Sequence, residues 1–189
     1  IDFKSLFRAI FKSVLLQQKN SGGGSTISQQ PAKLLYTDVA RDKMERAMQK
    51  PTEWVIAAKL EKLYTKEEIM TMYLNKFDFL NNAVGIRSAA QVYFSSTPDK
   101  LKLEEAALLV GMLKNPALYN PRRESRYDMC MGRRNVVFGQ MAKAGFITEA
   151  EKDSLSKLPI TLHFNKVDHK EGLAPYFREY LRKVMTAEE

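Results

Sequence analysis

From Asp2 to Ala144 the apolar residues recur at intervals of three and four, punctuated by proline, glycine and hydroxyl residues. That spacing admits helices and little else. Phe3, Leu6, Phe7, Ile10, Phe11, Val14 and Leu15 form the first stripe, with Asp2 placed to cap it and Lys4, Arg8 and Lys12 on another face. A basic helix with a Phe/Leu face lies on a lipid surface or packs into a core, and the stripe alone fits both. Gly22, Gly23 and Gly24 end it. Pro31 requires the next helix to begin near Ser28–Gln30 or to distort there. A helical stretch from about Asp38 meets Pro51, which reads as a break or a fresh first turn. Glu53, Trp54, Ala57, Ala58 and Leu60 follow at helical intervals. Thr65-Lys66-Glu67-Glu68 and Thr148-Glu149-Ala150-Glu151 are capping boxes, the first opening a helix through Tyr73-Leu74-Asn75. Gly85 leads a segment from Ile86 to Phe94, and Leu103 to Lys114 predicts an enclosed apolar helix stopped by Asn115-Pro116. Ser125 to Ala144 predicts a long helix closed by Gly145. Only Ile160 to Phe164 reads as a strand. The expected architecture is one mainly α domain with a small tail.

Composition narrows the function classes. The 30 Lys and Arg exceed the 22 Asp and Glu, for a net charge of +8, which points to an anionic partner: nucleic acid, an acidic membrane surface or a phosphorylated substrate. With Cys130 as its one cysteine the chain has no internal disulfide and no cysteine-based metal site. No run approaches the roughly 20 apolar residues of a spanning helix, and the start at Ile1 reads as that of an internal fragment. His163 and His169 have no ligand-spaced partner and read as surface residues. Ser154-Leu155-Ser156-Lys157 matches an acyl-serine tetrad, but no Lys-Thr-Gly or Ser-Asp-Asn follows it, so it reads as chance. Arg122-Arg123 and Arg133-Arg134 are thin evidence for nucleic-acid binding.

The string Gly22-Gly23-Gly24-Ser25-Thr26-Ile27-Ser28-Gln29-Gln30-Pro31-Ala32-Lys33 has two readings. One is a flexible linker before a capped helix. The other is an anion cradle, in which glycine frees the backbone and hydroxyls, amides and a lysine offer donors at a helix start.

That string is followed in order by Gln49-Lys50-Pro51-Thr52-Glu53, by Lys66 to Asn75, by Gly85-Ile86-Arg87-Ser88-Ala89-Ala90 with Tyr93-Phe94, and by Leu103 to Pro116 with Tyr119-Asn120-Pro121. In these pieces the chain resembles the peptidoglycan glycosyltransferase domain of class A penicillin-binding proteins, glycosyltransferase family 51. Four of the family's five motifs stand in order over roughly residues 1–160. The resemblance implies a lysozyme-like single helical domain over 1–165 with a membrane-facing hydrophobic subdomain, and a linker over 166–189 toward a covalently linked transpeptidase domain. It implies an enzyme at the outer face of the bacterial cytoplasmic membrane. There lipid II would be joined to a lipid-linked glycan chain with inversion, releasing undecaprenyl pyrophosphate.

The family's general base, a Glu of the first motif, would lie upstream of Ile1. The second carboxylate maps onto Glu53, which by itself reads as a solvated helix carboxylate paired with Lys50. The resemblance gives it a catalytic role in the departure of the pyrophosphate, directly or through a divalent ion such as Mg²⁺ or Mn²⁺. Lys33 and Lys50 would be the cations of the diphosphate site, Ser25, Gln29 and Gln30 its neutral donors, and Asn75 a further substrate contact. No metal ligand is assigned, and nucleic acid is not an expected partner. The chain departs from the family pattern at Pro31, Leu34 and Gln49, the last replacing an arginine. Two other classes fit the same residues: a glycan-cleaving enzyme on a lysozyme-like scaffold, and a non-catalytic basic module binding membrane or nucleic acid.

Overall fold

The structure, a computed structural model, describes residues 26–36, 41–165 and 175–186. The predicted stripe at 3–15, the three glycines, Asp38 and His169 lie outside these residues. The described residues are mostly helical, with eight α-helices and no strand among them. They group into two compact units that divide between Phe77 and Asp78.

The first unit holds α1 (Gln29–Tyr36), α2 (Lys43–Leu63) and α3 (Lys66–Lys76). α1 packs against both α2 and α3. The three helices meet through Ala32, Ala57, Leu60 and Ile69, with Ile56 and Met72 packed against them. Pro31 is the third residue of α1, where a missing N–H breaks no intrahelical bond, so the helix starts where the proline allows. Asp42 caps α2 by accepting from the Glu45 N–H at 2.7 Å. Contrary to expectation, Pro51 breaks nothing: α2 runs through it for 21 residues. Having no N–H, Pro51 leaves the Ala47 carbonyl without its usual helical donor one turn earlier. Ala57 and Leu60, further along the same helix, are buried in the core cluster. The capping box at Thr65 forms as predicted, the Glu68 N–H donating to the Thr65 hydroxyl and the Thr65 N–H to the Glu68 carboxylate.

The second unit opens with a tight loop closed by a bridge between Asp78 and Val84. Leu80, Asn81 and Asn82 all take positive φ there, 66°, 55° and 64°. Side-chain bonds hold this left-handed run against its intrinsic cost. Asn81 donates to the Tyr93 hydroxyl at 2.7 Å, which donates to the Phe79 carbonyl at 2.7 Å. Arg122 donates to the Asn81 side-chain Oδ1 at 3.1 Å and lies over the Phe164 ring at 3.9 Å. Gly85, with φ 84°, then starts α4 (Ile86–Phe94), and Ser95 ends it in the left-handed region.

α5 (Leu103–Met112) buries Ala107, Leu108, Leu109 and Met112 and packs along α6 (Tyr127–Lys143). A Cβ on Gly111, the penultimate residue of α5, would stand 3.3 Å from the Arg133 Cγ, so the two helices approach closely there. α6 buries Cys130, Arg134 and Phe138, spaced one turn apart, and Gly145 closes it with φ 77°. α7 (Glu149–Lys157) begins at its predicted capping box. The predicted strand at Ile160–Phe164 is not one. It is an extended segment whose backbone N–H groups at His163 and Asn165 donate to the Tyr93 and Val92 carbonyls of α4. A helix end offers carbonyls but no strand edge, so no ladder forms. α8 (Pro175–Thr186) completes the described residues.

Candidate active site

The burial stripe of α2 decides which of its polar residues count. Glu53, Ala57 and Leu60 share one buried face, and Glu53 is 1% exposed. The solvated helix carboxylate that the isolated sequence suggests is therefore wrong: this carboxylate lies in the core-facing stripe. Burying a carboxylate is costly unless cations or donors meet it. Lys50, one turn earlier, donates to Glu53 Oε2 at 2.9 Å while its own side chain stays 33% exposed. The pair thus joins a buried acid to an ammonium that reaches solvent. Gln49, the departure from the family's arginine, lies half-buried beside it.

α1 brings its first turn to the same unit. Gln29 and Ala32 form its buried face, Gln29 being 3% exposed. Gln29 stands one turn from Ala32, and Glu53 one turn from Ala57, the residues through which α1 and α2 join one cluster. Gln30 is half-buried and Lys33 exposed. The Gln29 Oε1 accepts from the Thr26 N–H at 3.2 Å, and the Gln29 N–H donates to the Thr26 carbonyl at 3.1 Å. That reciprocal turn closes the chain onto the helix start. The Thr26 hydroxyl is buried there with no hydrogen-bond partner among the described residues. Buried polar atoms are seldom left so, and one at a helix start is an atom suited to a bound anion's oxygen. The sequence assigned Thr26 no role, although its hydroxyl stood beside Ser25 in the same run. Ser25 lies outside the described residues. Asn75 is exposed on the last turn of α3.

Among the described residues no three His, Cys, Asp or Glu side chains gather as a metal cluster. Glu53 itself is held by the Lys50 ammonium. Three of the four arginines in the basic pairs make structural contacts. Arg134 is 1% exposed, and its guanidinium donates to the carbonyls of Leu155, Ser156, Leu158 and Pro159 at the end of α7. Arg133 donates to the Gly111 carbonyl, and Arg122 stacks on Phe164. Ser154 donates to the carbonyl of Ala150 in its own helix, in keeping with a chance tetrad. Cys130 is buried, and burial pushes its thiol above the usual range.

Apolar side chains stand outward on the same first unit. Ile27, Leu34, Leu35 and Tyr36 around α1 and Met44, Met48 and Val55 on α2 are all exposed. No helix among the described residues is long and apolar enough to cross a membrane.

Comparison with known proteins agrees with this arrangement. The profile of the family described as Transglycosylase matches residues 1–142. The chain is 35% identical to penicillin-binding protein 1A of Escherichia coli (strain K12) over 185 residues, which is 98% of this chain and 21% of that protein. It is 37% identical to penicillin-binding protein 2a of Streptococcus pneumoniae serotype 2 over 158 residues, 84% of this chain and 20% of that one. The crystal structure of penicillin-binding protein 1A from Haemophilus influenzae aligns with 85% of this chain and 20% of its own, at 27% identity and a TM-score of 0.46. The chain therefore spans about a fifth of the length of the curated relatives it matches. It belongs to the transglycosylase family, as a transglycosylase domain of the class A penicillin-binding proteins.

Proposed function

We propose that this chain is a peptidoglycan glycosyltransferase domain that polymerises lipid II into glycan strands, with inversion at the anomeric carbon and release of undecaprenyl pyrophosphate. The observation that carries this reading is the buried Glu53 tied to Lys50 on α2, in one unit with the amide- and hydroxyl-rich start of α1. As the bond from C1 to the pyrophosphate breaks, negative charge builds on the leaving oxygens. Groups already aimed at that charge stabilise it without reorganising. Lys50, Lys33, Gln30 and the Thr26 hydroxyl are such groups, and the α1 N-terminus adds its dipole. Glu53 acts by holding and orienting the Lys50 ammonium, and the rate then depends on its charge. The proton of the acceptor 4-hydroxyl would go to a carboxylate of the family's first motif. A divalent ion, Mg²⁺ or Mn²⁺, would arrive with the diphosphate.

The outward apolar residues of α1 and α2 suit a domain working at the outer face of the cytoplasmic membrane, where the substrates' lipid tails stay in the bilayer. Its covalent partner would be a transpeptidase domain. The test is polymerisation of labelled lipid II by the full-length protein, with products resolved on gels. Glu53→Gln keeps the shape and removes the charge, and the expected loss is roughly 10²- to 10⁴-fold in rate. Wild-type turnover in that variant would refute the role given to Glu53.

A further inference from the structure

Thr26, Thr65 and Thr148 each stand three residues before a glutamine or a glutamate, ahead of α1, α3 and α7. At Thr65 and Thr148 the capping box is complete. The Glu68 and Glu151 N–H groups donate to the threonine hydroxyls at 3.2 Å, and the threonine N–H groups donate to the glutamate carboxylates at 2.8 Å. At Thr26 only half of the box forms. The Thr26 N–H donates to Gln29 Oε1 at 3.2 Å, but the Gln29 N–H donates to the Thr26 carbonyl at 3.1 Å and not to the hydroxyl. The atom that a complete box would use, the Thr26 hydroxyl, is thereby left buried with no hydrogen-bond partner among the described residues. Gln29 is itself buried, and only the oxygen of a side-chain amide can meet an N–H, so Thr26 fixes which way that amide faces.

We propose that Gln29 is a positioning residue for glycosyl transfer: it ties down the Thr26 N–H, leaves the hydroxyl unused, and so presents that hydroxyl to the departing diphosphate. This inference rests on the reaction proposed above, and it gives Gln29 a part different from the direct donor that the family resemblance implies. A hydroxyl donates more strongly as its acceptor gains charge. The arrangement therefore favours the diphosphate after its bond to C1 has broken over the same group in bound lipid II.

The test uses the full-length protein in detergent. Polymerisation of lipid II is resolved into kcat and KM, and binding of inorganic pyrophosphate is measured separately by calorimetry. Thr26→Val removes the hydroxyl and keeps the backbone N–H, while Gln29→Met keeps the length of the side chain and removes the acceptor. Each should lower kcat by roughly 10- to 100-fold, change KM by less than about threefold, and weaken pyrophosphate binding about tenfold. The double variant should lose no more than Thr26→Val alone, because Gln29 acts through that hydroxyl. Gln29→Glu restores an acceptor for the Thr26 N–H and should lose less than Gln29→Met. Losses that add in the double variant, or a glutamate variant worse than the methionine one, would make Gln29 a direct contact of the diphosphate and overturn the positioning role. So would a Gln29→Met variant that melts lower yet keeps wild-type kcat and pyrophosphate affinity, which is the signature of a structural cap alone. A wild-type protein that polymerises lipid II while the variants break this pattern removes only the role of Gln29. The same pattern in pyrophosphate binding without polymerisation removes only the proposed reaction.

Discussion

Arg134 offers the sharpest test of how the second unit is held. Its side chain is buried; Nη2 donates to the Leu158 carbonyl at 2.6 Å and to the Leu155 and Ser156 carbonyls at 3.4 Å, and Nη1 donates to the Pro159 carbonyl at 3.5 Å. The short bond is charge-assisted and contributes on the order of 1.5–3 kcal/mol, while the longer ones add little each. Burial opposes this, lowering the Arg134 pKa because the cation gives up water. Arg134→Met keeps most of the volume against Phe138 and removes both the bonds and the desolvation cost, so it should destabilise by about 1–2 kcal/mol. Arg134→Ala also leaves a cavity and should cost about 3–5 kcal/mol. Urea denaturation gives the two values. Hydrogen exchange gives the place: amides of α7 and of residues 158–165 should lose protection in both variants. A methionine variant as stable as wild type, with α7 amides still protected, would show that the carbonyl grip contributes nothing net and refute the reasoning.

Two smaller predictions concern α4. Ser95 takes φ 50°, and its hydroxyl donates to the His163 carbonyl at 2.8 Å; Ser95→Gly loses that bond but relieves the left-handed strain, whereas Ser95→Ala loses the bond and keeps the strain. The glycine variant should therefore melt higher than the alanine variant, by about 1 kcal/mol in stability. Burial first of all raises Tyr93 to about 12 from 10.0. Between those values the folded state binds more protons than the unfolded one, so the Tyr93 contribution is whole below pH 10 and is lost as the pH rises through about 12. Tyr93→Phe should flatten that alkaline limb in pH-jump unfolding, and an unchanged slope would remove Tyr93 as its cause.

The sequence was legible wherever the signal was local. The capping boxes at Thr65 and Thr148, the glycines at 85 and 145 and the stop before Pro116 all act through atoms a few residues apart, so spacing alone locates them. It misled where one local rule met packing. Pro51 argued for a break, yet α2 continues through it, with Ala57 and Leu60 of the same helix buried. Ile160–Phe164 alternates like a strand, yet strands need a partner edge and α4 offers only its terminal carbonyls. Arg134 counted only as thin evidence for nucleic acid, because nothing local announces carbonyls more than 20 residues away.

The candidate site divides along the same line. The family resemblance, carried by motif order, is what singled out Glu53, Lys50, Lys33 and the two glutamines as candidates, because chemistry that recurs in a family leaves residue types at set intervals. Tertiary structure alone decided that Glu53 is buried and not solvated, since that depends on which face of α2 turns toward α1 and α3. It also found the buried Thr26 hydroxyl, because whether a polar atom has a partner is a property of everything packed around it and not of its neighbours in the chain.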